Sequence, residues 1–219
     1  MNKIAKELAL AALEIGAIKL QPSEPFTWTT GYRMPIYNDN RLLMGSLKHR
    51  ELVASGFKEV LAKNIGKVDL VAGVATGAIA HATTLANKLD LPLVYIREKP
   101  KEHGVGKQVE GIFHPGQRAV VVEDLISTGK SSAAAVVALR STGVICNLCL
   151  SIFNYGFITA AEQFKAIDTE VISLLTFSEL LTIMKEVKKL SASEFDLLSS
   201  WCEAPFQWGE QNGFPRVIK

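Results

Sequence analysis

Cysteine is scarce in this sequence: Cys146, Cys149 and Cys202 are the only thiols in 219 residues. An odd, low count excludes a disulfide scaffold and fits a reducing compartment. Cys146 and Cys149 are spaced as CxxC, but their neighbours (VICNLCLSIF) read as a strand, where residues i and i+3 face opposite ways. One strand cannot turn both thiols toward one metal, so they read as structural. Charge of one sign is also lacking. The formal net charge is +2, too weak to argue for nucleic acid, which needs a concentrated basic face. An anionic small molecule would need only a few local cations. No long hydrophobic run is evident either. The uncharged stretch Leu70 to Ala86 is broken by Gly73, Thr76, Gly77 and His81 and is shorter than a spanning helix. The opening MNKIAKELALAALEIGAIKL is amphipathic, with Glu7 and Glu14 where a signal peptide needs an apolar core. A cytoplasmic protein is expected. No internal repeat or low-complexity linker interrupts the chain.

What remains is ordinary globular composition, 48% hydrophobic and 21% charged. The length suits one domain over residues 1–219. Apolar spacing predicts a first helix over Ile4 to Ile18, and Gln21 to Asp39 reads as loop and irregular strand. Helices are expected at Leu47–Ile65, Ala78–Leu89, Lys130–Ser141, Ile158–Phe164, Phe177–Val187 and Ser193–Trp201, followed by a loose tail. Strands are expected at Val68–Val74, Leu93–Arg97, Arg118–Glu123, Val144–Phe153 and Val171–Leu175. Strand and helix alternate from Val68 onward, which predicts an α/β fold with a parallel sheet core, about 66–176, flanked by helices on both faces. The first 45 residues or so escape the alternation and suit a small cap, or hood, over one end of the sheet. Ligands in such sheets bind beyond the carboxyl ends of the strands, so the loops after Val74, Arg97 and Glu123 carry the functional interest.

The most informative segment is Val120 to Ser132 (VVVEDLISTGKSS). Three valines form a buried strand, and two acids, Glu123 and Asp124, follow at once. Leu125, Ile126, Ser127, Thr128, Gly129, Lys130 and Ser131 then lead into an alanine-rich helix. A small-residue loop at a helix N-terminus offers backbone N–H groups and a partial positive charge to an anion. Ser127, Thr128 and Ser131 can add hydroxyl donors, and Gly129 permits close backbone approach. Carboxylates repel phosphate but accept hydrogen bonds from sugar hydroxyls. An acid pair beside a phosphate loop therefore reads as a site for ribose 5-phosphate. A nucleotide P-loop needs glycine five residues before Gly129; Asp124 stands there instead.

Two further segments suit anions. Arg97, Lys101, His103 and Lys107 lie within eleven residues, with Gly104 and Gly106 as hinges. A cationic lid of this kind suits a leaving group whose negative charge grows during reaction. The strand-to-helix turn in GVATGA, Ala75, Thr76 and Gly77, frees backbone amides for a second anion.

Val120 to Ser132 resembles the 13-residue motif of the type I phosphoribosyltransferases, which bind phosphoribosyl pyrophosphate (PRPP). Glu24 to Arg41 (EPFTWTTGYRMPIYNDNR), Val94 to Gly111 (VYIREKPKEHGVGKQVEG) and Ser151 to Gly156 (SIFNYG) resemble the orotate phosphoribosyltransferases in particular. The resemblance implies the Rossmann-like fold of that family and transfer of the phosphoribosyl group of PRPP to orotate, giving orotidine 5′-monophosphate and pyrophosphate in pyrimidine (UMP) biosynthesis. It implies Mg²⁺ as cofactor, held mainly through PRPP and water with no direct side-chain ligand. It also implies a homodimer in which the Glu98–Gly111 loop reaches the neighbouring active site.

Carried over by position, Arg97, Lys101, His103 and the run Glu123 to Ser131 bind PRPP. Lys101, His103 and Asp124 are catalytic, and Ala75, Thr76 and Gly77 form the pyrophosphate turn. Ser127 contacts orotate, and Phe26 to Asn40 covers the base. Arg41 and Arg33 are candidate partners for the orotate carboxylate. Some family members have lysine at the positions of Thr29, Gly77 and Glu98, and arginine near Asn154; none of these is basic here. The alternatives are a phosphoribosyltransferase for another base and a non-catalytic PRPP-binding regulator. No DNA-binding extension supports the latter, and the hood and KPKEHG segments argue against the former.

Overall fold

The computed structural model describes residues 3–64, 67–100 and 107–217. Its frame is a six-stranded sheet in the order β10-β9-β8-β5-β6-β7, built from β5 (Leu70–Val74), β6 (Leu93–Ile96), β7 (Val109–Glu110), β8 (Ala119–Ile126), β9 (Leu148–Asn154) and β10 (Glu170–Thr176). All neighbours are parallel except β7, which pairs antiparallel with β6 at the edge. The connecting helices are α3 (Ile79–Leu89), α4 (Lys130–Arg140) and α5 (Ile158–Ala166). The chain moves outward from β5 to β6 on one side, then returns to β8 and moves outward through β9 and β10 on the other. The strand order therefore reverses between β5 and β8. A crevice opens at such a switch point, and the right-handed crossovers place α3 and α4 on opposite faces.

Burial fixes this frame. All five residues of β5 are buried, and Val120, Val121 and Val122 of β8 have no exposed surface. Each such side chain contributes about 1.5–3 kcal/mol on burial. Gly73 is required where α3 crosses β5: a Cβ there would lie 2.9 Å from the Ala82 Cβ.

The chain opens with α1 (Lys3–Glu14), whose Ala5, Leu8, Ala9 and Ala12 form one buried stripe, and which packs on α2 (Leu47–Asn64), α6 (Phe177–Glu186) and β10. It stops short of the expected Ile18 because Gly16 turns the chain at φ +73° and Ile18 begins β1 (Ile18–Leu20). Two small antiparallel pairs follow: β1 with β4 (Ile36–Asn38), and β2 (Phe26–Thr27) with β3 (Arg33–Met34). A 3-10 helix, Asn40–Gly45, leads into α2, with Asp39 accepting from the Arg41 amide at its start. Beyond β10, α6 and α7 (Ala192–Glu203) each begin with a capping box, Thr176 with Glu179 and Ser191 with Glu194. A short α8 (Trp208–Gln211) packs against β3.

Two strands differ from expectation in ways that bear on the site. β8 continues past Glu123 to Ile126, because Leu125 and Ile126 pair with Phe153 and Asn154 of β9. Asp124 is thus held by sheet pairing, not by a loop. β9 begins at Leu148, four residues late; Ile145 makes only an isolated bridge with Arg118. Cys146 and Cys149 are buried free thiols, as read from the sequence. Among the described residues no helix is long and apolar enough to cross a membrane.

Candidate active site

A cleft of about 990 Å³ opens over the carboxyl ends of β5, β6 and β8. Most of the residues singled out in the sequence meet in it: Ala75, Thr76 and Gly77 after β5, Arg97 after β6, and Glu123, Asp124, Leu125, Thr128, Lys130 and Ser131 along β8 and the start of α4. Among the described residues the lining does not include Ile126, which is buried, or Ser127 and Gly129. Lys101 and His103 lie outside the described residues. The described flanks of the segment that carries them, Glu98 and Gln108, both line the cleft. The segment's two ends are joined by the β6–β7 pairing and by the Arg97 amide donating to the Gln108 carbonyl at 2.9 Å.

The two acids do different work because strand alternation sends consecutive side chains to opposite faces. Glu123 turns toward α4 and is only 5% exposed. The Ser132 hydroxyl donates to its Oε2 at 2.7 Å, and the Asp124 amide donates to its Oε1 at 3.0 Å. Burial pushes the Glu123 carboxyl up to about 8, and the neighbouring Asp124 carboxyl adds to the rise; the two donors act against it. Asp124 turns toward the turn that precedes α3. A Cβ at Gly77 would lie 2.3 Å from its Oδ2, so the absent side chain is what admits the carboxylate. The Asp124 carbonyl accepts from the buried Asn40 side chain at 2.7 Å, which ties the 3-10 helix to β8.

Around these acids the cleft is built for anions. Gly129 starts α4 in the left-handed conformation, φ +77°, and packs on Ala160 of α5. It provides no side-chain cap, and neither does Ala78 at the start of α3. The first amides of α4 thus keep free hydrogen-bonding capacity, as α6 and α7 with their capping boxes do not, whereas at α3 the Ile79 amide already donates to the Thr76 carbonyl at 3.4 Å. The helix dipole adds to the pull on an anion. Arg97 and Lys130 contribute charge at the rim, and Arg97 also approaches Glu110 at 3.8 Å.

The hood contributes Asn38, Asp39, Asn40 and Arg41 to the lining. Of the two candidate carboxylate partners, Arg41 reaches the cleft. It is held in a two-pronged pair with Asp39, Nε to Oδ1 at 2.6 Å and Nη2 to Oδ2 at 2.8 Å, and Arg41 keeps the Asp39 carboxyl below its usual range. Arg33 lies elsewhere, with its guanidinium 5.9 Å from the Phe214 ring centre. The SIFNYG segment delivers Tyr155 into a buried aromatic cluster with Trp28, Phe157 and Trp201. That cluster seats the hood hairpin on the end of β9. His81 is fully buried on α3.

Sequence reasoning missed two supporting residues. Asn40 is 84 positions from its partner Asp124, and no local pattern announces such a contact. Ser132 could have been found: it shares a helical face with Val136 and Leu139, so a 3.6-residue period turns it inward and leaves Ser131 outside.

An acid pair at a strand end, an uncapped helix start beside it and a second anion turn at the switch point together define a type I phosphoribosyltransferase. The comparisons agree. Residues 47–163 match the family model for the phosphoribosyl transferase domain. An orotate phosphoribosyltransferase of Listeria monocytogenes is 41% identical over 94% of this chain and 99% of its own length. That of Bacillus caldolyticus is 41% identical over 93% of this chain and 98% of its own. The solved orotate phosphoribosyltransferase of Aeropyrum pernix superposes with a TM-score of 0.70 at 31% identity, covering 84% of this chain and 99% of that one. This chain belongs to the orotate phosphoribosyltransferase family.

Proposed function

We propose that the protein transfers the 5-phosphoribosyl group of PRPP to N1 of orotate, releasing pyrophosphate, in the cytoplasmic synthesis of UMP. The observation that carries this reading is the placement of Glu123 and Asp124 beside the uncapped start of α4 in one cleft, under a hood segment that lines the same space. In this reading the amides and hydroxyls from Ser127 to Ser131 bind the 5-phosphate. Glu123 and Asp124 accept the ribose hydroxyls. As carboxylates they favour the positive ribose that develops as the C1–O bond loosens, Glu123 once it has lost the proton that burial helps it hold. Ala75, Thr76 and Gly77, with Arg97, Lys101 and His103, hold the departing pyrophosphate. Ser127 and the hood hold orotate, and Arg41, a cleft-lining cation of the hood, is the candidate partner of its carboxylate. No covalent nucleophile is required.

The residues present fit Mg²⁺ bound through its substrate. Among the described residues no group of three or more His, Cys, Asp or Glu could cage a metal. Asp124 places a carboxylate in the cleft that can accept from water in the shell of an ion held through substrate oxygens, without ligating the ion itself. When bound, Mg²⁺ supplies neutralisation of the pyrophosphate charge. We assign the working form as a homodimer with the Glu98–Gly111 segment of one subunit serving its neighbour's cleft, and we assign residues up to about 45 to the hood of a single catalytic domain. Both assignments follow the family resemblance.

The test is loss of orotate absorbance on mixing enzyme, PRPP and Mg²⁺, repeated with adenine, guanine, hypoxanthine and uracil. Turnover confined to orotate supports the reading. Turnover of another base in preference to orotate, or tight PRPP binding with no turnover, overturns it.

A further inference from the structure

Ser132 is the last residue of the 13-residue motif, and the site described so far gives it no role in binding. It is 1% exposed, while its neighbour Ser131 is exposed and lines the cleft. Its hydroxyl donates to Glu123 Oε2 at 2.7 Å across nine residues of sequence, and Glu123 is itself buried. The other carboxyl oxygen accepts from the Asp124 amide at 3.0 Å. Glu123 is therefore gripped at both oxygens before any substrate arrives. One grip is backbone and cannot vary with sequence; the other depends on this single hydroxyl.

We infer that Ser132 is a positioning residue for PRPP use, holding Glu123 in the orientation and ionised form in which it accepts a ribose hydroxyl. The inference rests on the proposed phosphoribosyl transfer. A hydroxyl donor stabilises the carboxylate over the carboxylic acid. Without it, burial and the Asp124 charge act on Glu123 with less opposition, and the proton is held to higher pH. The titratable and charged groups around Glu123 are Asp124 on its own strand, Cys149 on β9, and the cleft-lining Asp39–Arg41 pair, Arg97, Glu98 and Lys130. From α4, the neutral Ser132 supplies the direct contact.

The experiment compares the full-length enzyme with Ser132→Ala, Ser132→Thr and Ser132→Cys. For each, kcat/KM for PRPP is measured from pH 5.5 to 9.5 at saturating orotate, with circular dichroism to confirm folding. At saturating orotate this ratio reports ionisations of the enzyme–orotate complex and of free PRPP, and substrate titration is common to all variants and cancels. Ser132→Ala is expected to lower kcat/KM for PRPP by about ten- to a hundredfold, the equivalent of one hydrogen bond to a charged group. The acid limb of its profile moves to higher pH, and KM for orotate stays unchanged. Ser132→Thr keeps the hydroxyl and returns the limb toward wild type. Should Ser132→Ala fail to fold, Ser132→Cys, near in size with a weak S–H donor, gives an intermediate displacement. A folded Ala or Cys variant whose acid limb coincides with wild type overturns the inference, however far its activity falls. If wild type itself does not use PRPP, it is the functional reading that fails.

Discussion

Replacing Gly77 with alanine tests the geometry of the acid pair with one added methyl group. Gly77 does not occupy the left-handed region, so alanine meets no backbone penalty there. The new Cβ would instead lie 2.3 Å from Oδ2, 2.6 Å from Cγ and 2.9 Å from Oδ1 of Asp124. Ordinary contact begins near 3.4 Å, so the carboxylate must retreat by about 1 Å. It can do so, because it ends a short side chain at an open cleft; its backbone stays pinned by the Asn40 amide. The fold should hardly notice, with a thermal midpoint within about 2 °C of wild type, as for surface changes of about half a kcal/mol. Catalysis should notice a great deal, since a displacement of about 1 Å in a positioned group costs about a hundredfold. The assay is kcat/KM for PRPP by orotate absorbance, beside thermal unfolding. Gly45→Ala, at a hood glycine with nothing within 4 Å of the added atom, is the control and should change neither. Near-wild-type kcat/KM in Gly77→Ala would refute the placement of Asp124 at the reacting ribose. So would a loss of activity matched by a large loss of stability.

Three further outcomes follow from the same structure. Glu123→Gln removes a carboxyl whose folded pKa is raised from 4.5 to about 8. A raised acid favours the fold fully below its unfolded pKa and loses that contribution as pH climbs through the folded one. Urea unfolding at pH 5 to 9 should therefore show wild type losing up to a few kcal/mol relative to Glu123→Gln across that range, and parallel curves would contradict it. Gly129→Ala forces a side chain into the left-handed region, φ +77°, 3.0 Å from the Ala160 backbone. It should cost about 1–3 kcal/mol and lower the thermal midpoint by several degrees. Lys101→Ala should reduce kcat by at least tenfold with the fold intact, because it removes a charge assigned to the leaving pyrophosphate; near-normal turnover would sink the lid assignment.

The acid pair, the phosphate loop and the alternation of strands and helices were legible because each is local. Val120 to Val122 announce a buried strand, and Gly129 before an alanine-rich run announces a helix start. What was illegible is what joins distant segments. The extent of β8 depends on Phe153 and Asn154, and no property of Leu125 or Ile126 alone reveals that pairing. The loose tail is another case. Arg216 donates to the Thr30 carbonyl from Nε and Nη2, its guanidinium sits 4.3 Å from the Tyr32 ring centre, and the Val217 amide donates to the Gly31 carbonyl. The tail is thereby fastened to the hood hairpin. No period in FPRV encodes this, since the partner lies about 186 residues away. Arg41 was legible as a cation but not as one already committed to Asp39.

The value of two consecutive acids is now a matter of sheet geometry. At the switch point, α3 and α4 lie on opposite faces, and in the proposed reading the ligand touches the start of both. One carboxylate at the end of β8 could be braced from only one face. Two in succession alternate: Glu123 is braced by Ser132 of α4, and Asp124 lies against Gly77 before α3. Had the acids been separated by one residue, both would face the same helix, and the turn on the other face would lack its neighbour. The spacing of the pair and the reversal of strand order are thus one requirement expressed twice, once in sequence and once in topology. It is met by residues of unequal character, a buried carboxyl whose proton is held to high pH and a half-buried one that a single methyl group would displace.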